Sequence, residues 1–139
     1  MSQDKPAAGV RADLGETDYV VELHAGRHRL LADEPEILGG TDAGPGPFPL
    51  LLSGLAACTA ITLRMYAERK GWKLTRVLVE ARLAPRGDEP HIDRSTALHG
   101  DVDAAQRARL LEVSERTPVT RVLKGGIQIR TTLVGPEIA

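Results

Sequence analysis

Residues 48–63 read FPLLLSGLAACTAITL, sixteen positions without a charge, with the one cysteine of the chain, Cys58, in their middle. Pro47 and Pro49 stand at the front, a polar turn at 64–70 follows, and Gly71 closes the segment; these are the marks of a helix start and a helix end. A helix apolar on nearly every side must be covered on nearly every side. The other helical patterns are short and amphipathic, and a single sheet of five or six strands covers one face. The run therefore predicts an obligate homodimer in which a second subunit supplies the missing cover, with Cys58 near the shared interior.

The length of 139 residues suits one domain with a real core. Net charge is near zero and no long basic stripe is present, so nothing in the chain is built to release counterions from a nucleic acid. Aromatic residues are 3% of the total, too few for base-stacking platforms. One cysteine excludes an internal disulfide framework, and four scattered histidines give no zinc spacing; no metal and no cofactor is expected. Residues 1–9, MSQDKPAAG, read as a disordered lead without the apolar core of a signal peptide, leaving 10–139 as a single domain. The uncharged run falls short of the ~18–20 residues a bilayer span needs. A soluble, cytoplasmic protein without membrane partners is the expectation.

Residues 18–25 alternate, with Tyr19, Val21 and Leu23 on one face and Glu22 and His24 on the other, and a turn at 25–27 leads to a second strand over 28–32. Residues 33–47 carry DEP, GG and GPGP and form a turn-rich loop. Its Asp33-Glu34 pair reads as turn chemistry rather than an acid/base site, and its glycines lack the Lys-Ser/Thr of a phosphate loop. After Gly71, residues 74–83 place Val77, Val79, Ala81 and Leu83 inward, and 91–99 pairs back as a polar strand. Asp103 with Gln106 makes a capping-box start for a helix whose inner face is Ala104, Ala108 and Leu111. Thr117 at N-cap and Pro118 at N1 open a shorter helix, and 127–133 alternates as a closing strand. The order predicts α+β with a mostly antiparallel sheet.

The stretch DEPEILGGTDAGPGPFPLLLSGLAACTAITLRMYAERKG at 33–71 resembles the signature of the OsmC/Ohr family, the osmotically inducible and organic-hydroperoxide-resistance proteins, and the likeness continues through RTPVTRVL at 116–123. The resemblance implies an intertwined homodimer, with antiparallel sheets wrapped around long central helices, and a thiol peroxidase site at the subunit boundary. The chain departs from the catalytic pattern of the family in two places. Where active members have a second cysteine before Pro-Val, this chain has Thr117, and where they often have a glutamate at the start of the cysteine helix, it has Pro49. The family also uses an arginine from the N-terminal strands to lower the thiol pKa. Arg11, Arg27 and Arg29 are the candidates, and no motif singles one out.

Peroxide reduction needs a thiolate, a proton for the departing alkoxide, and a thiol to regenerate the sulfenic acid. An ordinary thiol ionises near pH 8.5, so a guanidinium must approach it. A position two turns into a helix gains little from the dipole. Cys58 is then the candidate peroxidatic thiol, with Thr59 and Thr62 offering hydroxyls and Thr117 and Pro49 as further pocket candidates. Turnover would need a small thiol or lipoyl-type reductant. Of the histidines, only His28 is kept as a pocket candidate, and Arg64 with Glu68 reads as a solvated i,i+4 pair. The alternative is a catalytically degenerate dimer that binds a small hydrophobic ligand, and a third reading is a purely structural dimer.

Overall fold

The computed structural model describes residues 8–136; residues 1–7 of the N-terminal lead lie outside them. The chain divides into two compact units, one holding the residues up to Ser53 together with Arg82–Ile92, the other holding Gly54–Ala81 together with the residues from Asp93 onward.

The first unit is built on a three-stranded antiparallel sheet in the order β1 (Arg11–Leu14), β2 (Val21–Ala25), β3 (His28–Ala32). Ala25 pairs with His28 across the Gly26-Arg27 turn, and Arg11 pairs with His24. Strand β2 starts three residues later than the sequence pattern suggests because Tyr19 sits at φ 65, a left-handed conformation that interrupts an extended chain. Strand β1 is too short and polar to show as a pattern, and it exists through its ladder to β2.

The following loop is held by Asp33, which is 2% exposed. Its carboxylate accepts from the backbone N–H of Glu34 at 2.7 Å, of Thr41 at 3.1 Å and of Ala43 at 3.0 Å, and from the Thr41 hydroxyl at 2.8 Å. The Ala43 amide leads in holding its pKa down to about 2, against the opposing effect of burial. Gly40 is required here, since a Cβ would stand 1.9 Å from the Glu34 carbonyl oxygen. A single 3-10 turn, Glu36–Leu38, is the one helical feature of the loop.

Helix α1 (Pro47–Lys70) begins in the first unit and runs through the second. It ends in a Schellman motif: Gly71 takes φ 72, its N–H donates to Glu68 O at 3.1 Å, and Trp72 N–H donates to Ala67 O at 2.9 Å. Strands β4 (Lys73–Leu83) and β5 (Ile92–Asp101) then form a two-stranded sheet, antiparallel because so short a connection permits nothing else. Helix α2 (Ala104–Ser114) starts on the expected capping box, Gln106 N–H donating to Asp103 Oδ1 at 2.8 Å and Asp103 N–H to Gln106 Oε1 at 2.9 Å. Helix α3 (Pro118–Gly125) closes the ordered elements.

The core of the second unit is Leu63, Ala67, Leu74, Val102, Leu110 and Val113, with Tyr66, Trp72, Val77 and Leu98 packed on it. The Tyr66 hydroxyl accepts from Arg109 Nε at 2.9 Å, and that bond holds the phenol below its ordinary pKa.

Four expectations are corrected. Among the described residues the strands form sheets of three and two rather than one sheet of five or six. Ala104, Ala108 and Leu111 are exposed, whereas Leu110, Val113 and Ser114 are buried; two alanines bring less apolar area to a core than Leu110 and Val113 do. Leu83 is 37% exposed, near the end of its strand. Residues 127–133 form no ladder among the described residues, and Ile127, Ile129 and Leu133 lie open to solvent; alternation makes a segment fit to be a strand, but a partner edge makes it one.

Candidate thiol site

Only one stripe of α1 is buried: Leu55, Thr59, Leu63 and Ala67, each four residues from the last. Another stripe lies open. Leu51, Cys58 and Met65 are seven apart and Ile61 joins them at i+3 from the cysteine, so all four share a face. Leu51 is 43%, Ile61 57% and Met65 60% exposed. Cys58 is half-buried in the middle of this apolar strip. Its sulfur lies 3.9 Å from the hydroxyl of Thr62, one turn on. Among the described residues no guanidinium stands within hydrogen-bonding distance of the sulfur.

The next residue round the helix belongs to a different environment. Thr59 is fully buried; its hydroxyl donates to Leu55 O at 2.8 Å and accepts from Arg94 Nη1 at 2.9 Å. Arg94, on β5 and 11% exposed, also donates through Nη1 to Thr120 Oγ1 at 2.8 Å and through Nη2 to Ser114 O at 2.9 Å. Thr120 shares a 2.7 Å hydrogen bond with Thr117. Glu115 stands 3.9 Å from Arg94 Nη2 and is also paired with Lys124; the Lys124 hydrogen bond, with help from the charges of Lys124 and Arg94, lowers its pKa against partial burial. One guanidinium thus joins α1, the C-terminal end of α2 and α3.

In the sequence Arg94 lies in a strand that reads as polar throughout. The signal was there: Ile92, Arg94, Thr96 and Leu98 are the half-buried positions of β5 and alternate with exposed ones, so Arg94 stands in the inward register. Thr117 does occupy the N-cap position of α3, but its hydroxyl makes no cap bond and turns to Thr120 instead. Arg64, read as part of a solvated pair, is half-buried and donates from Nη2 to Thr75 O at 2.9 Å.

The structure brings Cys58, Thr59, Thr62 and Thr117 into one compact unit and places Arg11, Arg27, Arg29, His28 and Pro49 in the other. Arg11, Arg27 and His28 are exposed on the three-stranded sheet or its turn. Arg29 Nε pairs with Glu22 Oε1 at 2.5 Å, and His24 lies 3.4 Å from the same oxygen. Pro49 is exposed in the first turn of α1, where its carbonyl accepts from Ser53 Oγ at 2.7 Å. Among the described residues no group of three or more His, Cys, Asp or Glu side chains is placed to hold a metal ion.

At 24 residues α1 is long and apolar enough to cross a membrane, which a count of the uncharged run alone misses. Its buried face nevertheless carries a threonine bonded to a strand arginine, the packing of a helix inside protein.

These elements define a class: an α+β protein with antiparallel sheets and one long helix that carries a single half-exposed thiol. A family model described as OsmC-like protein matches residues 40–132, and the chain belongs to that family. No curated protein matches the sequence significantly. Among solved structures, an OsmC-like protein from Mycoplasma pneumoniae superposes with a TM-score of 0.74 at 21% identity, covering 88% of this chain and 90% of that one. An organic hydroperoxide resistance protein OsmC from Legionella pneumophila gives 0.58 at 23% identity, covering 86% and 90%. The organic hydroperoxide resistance protein OhrB of Bacillus subtilis gives 0.58 at 20% identity, covering 86% and 91%. The likeness is one of fold.

Proposed function

We propose that the protein is a one-cysteine peroxide reductase that acts on organic hydroperoxides as a homodimer in the cytoplasm. The observation that carries this reading is the placement of Cys58: half-buried, in an exposed apolar strip, with the Thr62 hydroxyl 3.9 Å from its sulfur. An apolar strip suits the organic part of a hydroperoxide, and a second subunit laid along it would exclude water from the sulfur. That subunit, or one of Arg11, Arg27 and Arg29, is the source of the cation the thiolate needs.

The chemistry balances with two partners, a hydroperoxide and an external thiol. The Cys58 thiolate attacks the terminal peroxide oxygen; the S–O bond forms as the O–O bond breaks, and the alkoxide leaves and takes a proton as it reaches solvent. Sulfur is oxidised and the peroxide reduced to an alcohol. An external thiol then attacks the sulfenic sulfur and releases water, and a second thiol reduces the mixed disulfide. Thr117 can take no part in a disulfide, so the reductant must reach Cys58 itself.

Cumene hydroperoxide with dithiothreitol or dihydrolipoamide provides the test. The wild type is expected to consume peroxide and to give a dimedone adduct on Cys58. The Cys58→Ser variant is expected to lose turnover while staying within about 1 kcal/mol of wild-type stability. Absence of both adduct and turnover in the wild type would favour the second reading, a dimer that binds a small hydrophobic ligand, for which the loss of a cysteine at position 117 speaks.

A further inference from the structure

The described residues hold two sulfur atoms, those of Cys58 and Met65, and both stand on one face of α1. About two turns and 10 Å of helix axis separate them, with Ile61 between. Met65 is 60% exposed, and its neighbours on the strip, Leu51 and Ile61, are open as well. The buried stripe of the helix contains neither sulfur, and the core of the second unit is built without Met65. A change at this side chain therefore alters the strip and leaves the core as it is. A thioether also needs no ionisation before it reacts with a peroxide, whereas a thiol does.

We propose that Met65 is a modification site for hydroperoxides and that its oxidation to the sulfoxide releases the second subunit. The proposal rests on the reading of this strip as the face a second subunit covers. The thioether sulfur attacks the terminal peroxide oxygen, and the S–O bond forms as the O–O bond breaks. Sulfur is oxidised to the sulfoxide, and the departing alkoxide keeps the proton of the hydroperoxide and leaves as an alcohol. The hydroperoxide is the only co-reactant. The product sets a strong hydrogen-bond acceptor on a strip whose neighbouring side chains, Leu51, Ile61 and the Cys58 thiol, offer it no strong donor. Burying that acceptor under a second subunit carries an uncompensated desolvation cost. Oxidation strikes subunits while they are apart, and the sulfoxide then keeps them apart. Methionine sulfoxide reductases reverse the change, which makes it a switch set by peroxide dose.

The test uses the full chain carrying Cys58→Ser, so that Met65 is the one sulfur left among the described residues, treated with tert-butyl hydroperoxide. Peptide mass mapping reads one added oxygen on the Met65 peptide, and light scattering across a dilution series reads the dimer dissociation constant. Oxidation is expected to raise that constant about tenfold or more, with the far-ultraviolet circular dichroism unchanged. Methionine sulfoxide reductases A and B with dithiothreitol should return it to its starting value. Met65→Leu in the same background keeps the apolar surface and should stay dimeric through the same treatment. The proposal is overturned if Met65 gains no oxygen, or if it gains one and the dissociation constant does not move. It is equally overturned if Met65→Leu dissociates as readily, or if the protein is monomeric before peroxide is added. The peroxidase reading fails on a different measurement, the absence of a dimedone adduct on wild-type Cys58, so the two failures are told apart.

Discussion

Replacing Arg94 by methionine removes a cation that donates three hydrogen bonds of 2.8–2.9 Å to Thr59, Thr120 and Ser114 O. A bond from a charged donor is worth about 1.5–3 kcal/mol net. Against their loss stands the desolvation of a guanidinium only 11% exposed, a penalty of several kcal/mol that vanishes with the charge. The acceptors left behind are not stranded: Thr59 still donates to Leu55 O, Thr120 keeps Thr117, and Ser114 O keeps a 3.4 Å contact with the Thr120 hydroxyl. The balance is a net loss of about 2–4 kcal/mol, or about 10 °C in melting temperature. Arg94→Lys keeps the charge but not the planar fork, and should recover about half of the loss. Scanning calorimetry at one fixed protein concentration measures both variants, since a dimer's melting point depends on concentration. If Arg94→Met melts within about 2 °C of the wild type, the guanidinium does not tie α1 to α3 and the reasoning fails.

Asp33 makes a pH prediction. Its pKa is lowered from 3.8 to about 2 in the folded chain, so its contribution to stability is complete above about pH 4 and is lost as the pH falls toward 2; Asp33→Asn should flatten that part of the acid-unfolding curve followed by circular dichroism. Gly40→Ala sets a methyl 1.9 Å from the Glu34 carbonyl oxygen and should cost at least about 2 kcal/mol in urea unfolding; a loss too small to measure would mean the loop relaxes around it. Ile61→Asp places a charge in the exposed strip that holds Cys58. On the dimer reading it should turn the protein into a monomer by light scattering, and an unchanged mass would show that this strip is not the interface.

Local structure is legible at most positions where a short-range rule applies, although the Thr117 hydroxyl turns to Thr120 instead of capping its helix. Strand β3 falls at His28–Ala32 as its flanking turn demands, the capping box of Asp103 and Gln106 forms as written, and Pro47 and Gly71 bracket α1. The Asp33 loop carries the residues of turn chemistry, and its carboxylate is spent on backbone amides. What failed was long-range. Helical spacing points to Ala104, Ala108 and Leu111 as the apolar face of α2, and burial goes to Leu110 and Val113. Residues 127–133 alternate as a strand should, but no local pattern names the edge a strand will pair with.

The same division runs through the candidate site. The sequence alone determined the thiol, its place inside an apolar helix, and the threonine one turn beyond it, because helical periodicity fixes which side chains share a face. Tertiary structure decided that Thr59 turns into a buried network while Cys58 stays on the open side, and that an arginine from β5 binds both Thr59 and Thr120. The physical reason is that Arg94 lies 35 residues from Thr59 and 26 from Thr120 along the chain. A contact across such separations depends on how strand and helices pack, and no spacing within either segment encodes it.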